Sequence, residues 1–186
     1  MFKVLDEACK PKRSTKYSAY VDLFAREDVT IGAGETAVIP LGVKLDLENS
    51  NVYKTSDYRW ACKKGAGLEV VEAMKKQALK DFMQSNYLEV ALRSSLGVKG
   101  LIIANGIGII DLDYPDEIGL IVHKPLSAGE DFNTNGSLIC FGDSNHSFKI
   151  NKGDKVAQCT LKEHKGYLMG YESDVVRDGG FGSTGA

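Results

Sequence analysis

Short apolar runs, separated by glycines and other turn-forming residues, make up most of this chain. Within residues 43–47, apolar side chains occupy every second position, which is typical of a strand with one buried face. Comparable runs are TAVIPLGVKLDL, GLIIANGIGIIDLDY, EIGLIVHKPL, SLICFG and KVAQCTL. Many short strands at this spacing predict an all-β sandwich or barrel.

One segment follows a helical period instead. Between residues 66 and 84, Val71, Met74 and Ala78 are followed by Leu79 and Phe82 at spacings of three and four. The segment is also rich in residues that favour helices, such as Glu, Ala, Lys and Gln. It predicts one amphipathic helix in an otherwise β-rich chain.

Composition limits the possible functions. A length of 186 residues, 43% hydrophobic and 26% charged, fits a single globular domain. A formal net charge of -2 disfavours binding to a nucleic acid polymer, but leaves a small anionic ligand possible. Because no apolar run approaches the roughly 20 residues that span a bilayer, we expect a soluble, cytoplasmic protein with no membrane partner.

The segment from residue 92 to residue 100 contains the chemical groups that typically bind an anion. Arg93 is followed by the hydroxyls of Ser94 and Ser95 and by glycines that expose backbone N–H groups. A phosphate would fit such a site. The alternative is a polar helix start in which Ser94 or Ser95 is the N-cap, and the residues alone leave both interpretations open.

Residues 105–119 predict a strand, a tight turn and a returning strand. In such a hairpin Asp111 and Asp113 share one face, and Pro115 suits the turn. Two neighbouring carboxylates can hold a divalent ion, or one can act as a general base on water. The alternative is a pair of solvated turn acids.

Two further segments carry candidate ligand groups. Residues 152–158 predict a turn followed by a strand, on which Gln158 can donate its amide to a ligand oxygen. The C-terminal segment combines Arg177 with an aromatic ring, hydroxyls and many glycines, and can close over a ligand. The alternatives are a plain hairpin turn and a frayed terminus.

In their order and identity, these segments resemble the five motifs of the trimeric dUTPase family. The resemblance covers nearly the whole chain and rests on AYVDL (19–23), LRSSLGVKG (92–100), NGIGIIDLDY (105–114), KGDKVAQ (152–158) and RDGGFGSTG (177–185). It implies a jelly-roll-like β-barrel of the β-clip type and a homotrimer with shared active sites. The implied reaction is Mg²⁺-dependent hydrolysis of dUTP to dUMP and pyrophosphate, which removes dUTP and supplies dUMP for thymidylate synthesis.

The resemblance also implies roles for single residues. Asp111 would be the general base that activates water for attack on the α-phosphate. Tyr114 would lie under the deoxyribose, and Asn105 would read the uracil edge. The other implied substrate-binding residues are Arg93, Ser94, Ser95, Gly108, Gln158, Arg177, Phe181, Gly182, Ser183 and Thr184. Asp22 would lie near the metal and contact it through water.

Some positions depart from the family pattern. Tyr20 stands where glycine is usual in the first motif, and Lys155 stands where arginine is common in the fourth. The largest departure is an inserted segment at about residues 49–86 within a single domain, 1–186, whose flexible tail begins at about residue 174. The insert packs on its own barrel or a neighbouring subunit, or else it forms a lid or a docking surface for a protein partner. The second interpretation is motivated by Arg59, Trp60, Lys63 and Lys64.

Two other functions compete with dUTP hydrolysis. A dCTP deaminase-like enzyme shares the fold and the trimer, but its site is centred on a glutamate. A nucleotide-binding regulatory protein could act through the insert. Asp111 and the glycine-rich fifth motif argue against the first, and Asp111 argues against the second as the sole role. We expect the protein in the cytoplasm of a bacterium, or of a host cell infected by a virus or phage.

Overall fold

The computed structural model describes residues 1–126, 128–132, 138–142, 147–170 and 179–180. Strands dominate this part of the chain. They are β1 (Phe2–Val4), β2 (Val21–Phe24), β3 (Val29–Ile31), β4 (Thr36–Pro40), β5 (Val43–Leu45), β6 (Asn86–Leu92), β7 (Ile102–Ile103), β8 (Gly108–Asp111), β9 (Gly119–His123), β10 (Ala128–Phe132), β11 (Leu138–Gly142), β12 (Phe148–Ile150) and β13 (Lys155–Glu163).

Two antiparallel sheets carry the candidate site residues. One has four described strands in the order β2, β13, β6, β8, and the other has three in the order β4, β9, β7. Three further strand pairs complete the described pairing: β1 with β5, β3 with β12 and β10 with β11. The chain therefore folds into many short antiparallel strands, as the sequence predicts.

A continuous hydrophobic core lies beneath these sheets. Leu88 and Val90 of β6 are almost fully buried in it, as are Leu23 of β2 and Leu120 of β9. Because side chains alternate along a strand, Tyr87, Glu89 and Ala91 point to the opposite face of β6. That opposite face carries several polar groups of the candidate site.

Two helices, α1 (Ser56–Lys63) and α2 (Leu68–Ser85), connect β5 to β6. The structure confirms the predicted amphipathic helix, α2, which buries Leu79 in the core and packs Phe82 against it. This contact supports packing of the insert on its own chain. The lid and docking alternatives stay predictions, as do the bounds of the insert and the tail.

The first inserted helix, α1, was not predicted from the sequence. It begins where the Thr55 hydroxyl accepts a hydrogen bond from the Tyr58 backbone N–H at 3.3 Å. Only Ala61 of this helix is buried, so the apolar periodicity that reveals a packed helix is weak here. No helix in the described part of the chain is long and apolar enough to cross a membrane.

The predicted hairpin at residues 105–119 was wrong. Strand β8 pairs with β6, whereas β9 pairs with β4 and β7, so the two strands belong to different sheets. The connection between them crosses from one sheet to the other and is anchored by buried Leu112, Tyr114 and Ile118. Asp111 ends β8 and Asp113 lies in the turn, and both are exposed on either side of Leu112.

Candidate active site

A cavity of about 210 Å³ lies between β8 and β9, where the segment that follows β8 crosses between the sheets. Its lining includes Asn105, Gly108, Asp111 and Tyr114, all of which the sequence predicted as site residues. Apolar side chains such as Leu120 form much of the rest of the wall. An apolar cavity with a few convergent polar groups is the usual form of a small-molecule site.

Gly108, in the lining of this cavity, lies close against the neighbouring strand. A Cβ atom at this position would lie 3.1 Å from both the Cβ and the carbonyl oxygen of Val90 on the neighbouring strand. The absence of a side chain therefore lets β8 lie close against β6 at the register that pairs Gly108 with Val90. Asp111, three residues further on, is paired with Tyr87 in the same ladder.

Tyr114 is buried in the cavity wall. Tyr114 is 8% exposed, and its hydroxyl donates a hydrogen bond to the Glu117 carbonyl oxygen at 3.4 Å. Gly180, from the fifth predicted motif, lies against the edge of this ring, and a Cβ atom on Gly180 would overlap the ring atoms. The third and fifth motifs thus meet at Tyr114.

We expect Gly180→Ala to displace this glycine from Tyr114. Because the ring is buried, the new methyl group forces the 179–180 segment to move, at a cost of about 1–3 kcal/mol. Steady-state kinetics should show kcat/KM for the substrate reduced by roughly five-fold to a hundred-fold. Gly67→Ala is the control, since a methyl group there meets open space, and an equal loss in both variants would contradict the expectation.

A second cluster of charged groups surrounds Asp22 on β2. Asp22 is 2% exposed and accepts hydrogen bonds from Arg93 Nη1 at 2.6 Å and from Lys155 Nζ at 3.1 Å. The Ser14 hydroxyl donates to the same carboxylate. This cluster joins the first, second and fourth predicted motifs, and two cations balance the buried charge of Asp22.

The pKa of Asp22 reflects this balance. Burial raises the pKa, but hydrogen bonds from Ser14 and Lys155 and the positive charge of Arg93 outweigh burial and place it below its usual value. A carboxyl with a lower pKa in the folded state binds fewer protons there than in the unfolded chain. Its contribution to stability is therefore present above the unfolded pKa of about 3.9 and is lost as the pH falls through the folded pKa.

We expect this linkage to appear as a steeper acid dependence in the native chain than in Asp22→Asn. The free energy of unfolding of the native chain should fall more strongly below about pH 4, since the asparagine variant has no carboxyl to protonate at this site. Urea unfolding between pH 3 and pH 7 measures the difference. Glu48→Gln, which changes an exposed acid, is the control, and identical slopes for native chain and Asp22→Asn would contradict the expectation.

The second predicted motif begins a short helix, α3 (Ser94–Gly97). Its N-cap position is Arg93, and no side chain caps it, so the alternative in which Ser94 or Ser95 is the N-cap was wrong. The Arg93 side chain instead reaches Asp22, and buried Leu96 anchors the turn. Ser94 and Ser95, which directly follow Arg93, are exposed.

Gln158 and Asp111 lie on one face of the four-stranded sheet but far apart. Gln158 is paired with Asp22 on one side and with Ala91 of β6 on the other, whereas Asp111 is paired with Tyr87 of β6. Ala91 and Tyr87 are four residues apart, which is roughly 13 Å along a strand. One chain therefore presents the cavity and the Asp22 cluster as two separate half-sites.

No protein-family model matches the chain. The deoxyuridine 5'-triphosphate nucleotidohydrolase of Rickettsia akari is 30% identical over 183 residues, which cover 94% of this chain and 87% of that protein. The enzyme of the same name from Rickettsia felis is 29% identical over 182 residues, with the same coverage.

The chain belongs to the dUTPase family. Solved dUTPase structures share its fold. The dUTPase of phage phi11 of Staphylococcus aureus has a TM-score of 0.54 and 20% identity, covering 98% of this chain and 97% of that one. The Streptococcus mutans dUTPase has a TM-score of 0.52 and 19% identity, covering 87% and 94%. The predicted jelly-roll-like, β-clip fold is thereby confirmed.

One departure from the dUTPase pattern has a structural explanation. Tyr20, in place of the usual glycine, donates its hydroxyl to Glu89, a residue only 8% exposed on β6. The Tyr87 hydroxyl donates to the same carboxylate at 3.4 Å, and Lys162 Nζ lies 3.9 Å from it. Sequence reasoning missed Glu89 and Ser14, although an acid inside the apolar strand NYLEVAL is a signal that a buried partner exists.

Several predicted dUTPase site residues lie outside the described residues: Arg177, Phe181, Gly182, Ser183 and Thr184. Of the fifth motif, the structure describes only Gly179 and Gly180, and Gly179 is buried. The roles implied for the other tail residues stay predictions.

Proposed function

We propose that this chain hydrolyses dUTP to dUMP and pyrophosphate in the cavity between β8 and β9. The observation that supports this location is the convergence of Asn105, Gly108, Asp111 and Tyr114 on one cavity in a chain of the dUTPase family. The reaction removes dUTP from the nucleotide pool and supplies dUMP for thymidylate synthesis. The roles of the residues below are part of the proposal.

Asp111 is the proposed general base. Its exposed carboxylate at the end of β8 takes a proton from a water molecule as the water oxygen attacks the α-phosphorus. The bond from the α-phosphorus to the bridging oxygen breaks, and pyrophosphate leaves with that oxygen. Because phosphoryl transfer depends mainly on positioning and charge stabilisation, the rigid register of β8 against β6 contributes directly to the rate.

The cavity supplies selectivity for the base and the sugar. The Asn105 amide can pair with the polar edge of uracil. Tyr114 lines the same cavity, and we assign its ring a place under the deoxyribose, where it would leave no room for a ribose 2′-hydroxyl. A site that pairs polar groups rejects a mismatched base strongly, since the mismatch leaves buried polar groups without partners. The proposed pocket therefore rejects cytosine through its polar pairing, the methyl group of thymine through its shape, and ribonucleotides through Tyr114.

The Asp22 cluster supplies the phosphate side. Asp22 fixes the Arg93 guanidinium, and Arg93 in turn fixes the start of α3. The exposed hydroxyls of Ser94 and Ser95 then face the phosphate chain. Gln158, partly buried next to Asp22 on β13, donates its amide to the α-phosphate.

A homotrimer with shared active sites brings these parts together. Asp111 and Gln158 must both reach the same α-phosphate, yet one chain separates them by roughly 13 Å along β6 alone. In a trimer, the Asp22 cluster of a second subunit can lie opposite the cavity of the first. Asp111 and Gln158 from different subunits can then reach the same α-phosphate. The tail residues Arg177, Phe181, Gly182, Ser183 and Thr184 then close the site, and the contact of Gly180 with Tyr114 supports this placement.

Magnesium enters this proposal together with the triphosphate. Both oxygens of Asp22 already accept hydrogen bonds from Arg93, Lys155 and Ser14, so this acid fits a contact through water better than direct ligation. Mg²⁺ dehydrates reluctantly and commonly binds through phosphate oxygens and water. When bound, it neutralises phosphate charge. A mutant of the phage phi11 dUTPase is described with a coordinated structural Mg(II) ion.

The experiment that tests this function is pyrophosphate release from dUTP, dCTP, dTTP and UTP with magnesium present. Release from dUTP alone is the expected result. Ammonia released from dCTP would identify a deaminase instead. Tight dUTP binding without turnover of any nucleotide would identify a regulatory nucleotide-binding protein.

A further inference from the structure

A concentrated positive charge lies in the loop at residues 10–17, which precedes β2. Lys10, Lys12, Arg13 and Lys16 occur within seven positions and no acidic residue interrupts them. The whole chain has a formal net charge of -2, so this concentration is local. It belongs to none of the five family motifs. We call residues 10–17 the basic loop.

The basic loop is attached directly to the Asp22 cluster. The Lys12 backbone N–H donates to the Asp22 carbonyl oxygen at 3.2 Å, and the Asp22 N–H donates to the Lys12 carbonyl oxygen at 2.7 Å. The Ser14 hydroxyl donates to the Asp22 carboxylate and lies 3.5 Å from Lys155 Nζ. These contacts place the loop beside the proposed phosphate half-site.

The loop is ordered by its own hydrogen bonds. The Thr15 backbone N–H donates to Ser18 Oγ at 3.0 Å, and the Ser18 N–H donates back to the Thr15 carbonyl oxygen at 3.2 Å. Arg13 Nε donates to the Ser18 carbonyl oxygen at 2.8 Å. A ligand that meets these cations therefore does not have to order the backbone first, which favours binding.

Most of this charge is not cancelled by acids. Among the ion pairs of the described residues, Lys10 is paired with Glu7 at 3.0 Å, whereas Lys12, Arg13 and Lys16 appear in none. Lys12 lies over the Phe24 ring and Lys16 over the Tyr17 ring, at 5.8 and 5.2 Å from the centroids. Contacts with a ring face leave the positive charge in place.

We propose that the basic loop attracts the triphosphate of the incoming nucleotide and delivers it to the half-site formed by Arg93, Ser94 and Ser95. The proposal rests on the function proposed above. Three uncancelled cations on an ordered loop suit a small polyphosphate, and charge focused beside a site raises the association rate. A nucleic acid polymer suits the surface less well, because long polymers require many phosphate contacts and the chain as a whole is slightly acidic.

The direct test is a triple variant, Lys12→Gln with Arg13→Gln and Lys16→Gln. At low salt we expect kcat/KM for dUTP to fall about tenfold, with kcat unchanged, because the loop acts on capture and not on chemistry. The difference should vanish near 1 M salt, where the Debye length falls to about 3 Å. The matched control removes three exposed lysines elsewhere, through Lys76→Gln, Lys80→Gln and Lys165→Gln.

Two results would overturn the proposal. One is a loss in the control variant equal to that in the triple variant, which would assign the effect to net charge. The other is a loss that is the same at every salt concentration, which would assign it to local damage around Asp22.

A binding measurement separates this proposal from the proposed function. Calorimetric titration with inorganic tripolyphosphate, without magnesium, should show weaker binding to the triple variant than to the control, whether or not the chain hydrolyses dUTP. Absent pyrophosphate release with the native chain would refute the function alone. Unchanged tripolyphosphate binding combined with lost binding of a single-stranded oligonucleotide would overturn the loop proposal in favour of a nucleic acid surface.

Discussion

The Asp111→Asn variant should hydrolyse dUTP roughly 10²–10⁴ times more slowly than the native chain, with dUTP affinity retained. Asparagine has nearly the same shape as aspartate, so the pairing of residue 111 with Tyr87 and the cavity between β8 and β9 should persist. An amide, however, cannot accept the proton of the attacking water. Single-turnover kinetics with saturating dUTP, together with equilibrium binding of a non-hydrolysable dUTP analogue, measures the two quantities separately.

Asp116→Asn is the matched control for this prediction. Asp116 is an exposed acid five positions further along the same connection, where it lies 3.7 Å from Lys44 Nζ. Its replacement should leave kcat within about a factor of two, because exposed ion pairs contribute little. Similar losses in both variants would show that the connection as a whole, and not the Asp111 carboxylate, limits the reaction.

The Arg93→Ala variant should have a clearly lower free energy of unfolding than the native chain. Asp22 is almost fully buried, and removal of Arg93 leaves its charge with Lys155 as the one remaining cation within ion-pair distance among the described residues. Breaking one half of a fully buried ion pair typically costs about 3–5 kcal/mol. Because Lys155 and Ser14 still contact Asp22 and the Arg93 side chain is 28% exposed, we expect a cost of about 1–3 kcal/mol here. Chemical denaturation at pH 7 should show this decrease in the free energy of unfolding.

Two controls distinguish the buried pair from an ordinary surface contact. Lys44→Ala removes the partly exposed pair with Asp116 and should cost less than about 1 kcal/mol. The double variant Arg93→Ala with Asp22→Ala should be less destabilised than the sum of the two single variants, because the sum counts the loss of the Arg93–Asp22 interaction twice. A loss below about 1 kcal/mol for Arg93→Ala would refute the structural role of the pair.

The parts of the fold that were predictable from sequence carry a strong local period. Helix α2 was predicted because its apolar residues recur at three and four, and it buries Leu79 as that pattern requires. Helix α1 has one buried residue and gave no such signal. The strands β8 and β9 were each predicted, but alternation reveals a strand and not its partner. The hairpin was wrong because β9 lies between β4 and β7 in the other sheet and does not pair with β8.

The same distinction holds for the candidate site. The cavity residues Asn105, Gly108, Asp111 and Tyr114 lie within ten positions, so a single motif identified them together. The two cationic partners of Asp22, by contrast, are 71 and 133 positions away, and no local pattern links them to it. The family resemblance implied a place near the metal for Asp22, and the structure adds that its carboxylate holds two cations. Pairings at this range follow from strand order and register, which the sequence does not display.

The separation of Asp111 and Gln158, which pair with Tyr87 and Ala91 on β6, also has a genetic consequence. Under the shared-site proposal, a subunit without its general base still lends an intact Gln158 to its neighbour, and the reverse holds for a subunit without Gln158. Two alleles that are each inactive alone would then restore some working sites when expressed in the same cell. Conversely, a defective subunit would inactivate sites that it shares with native subunits. A loss-of-function mutation would then be partly dominant.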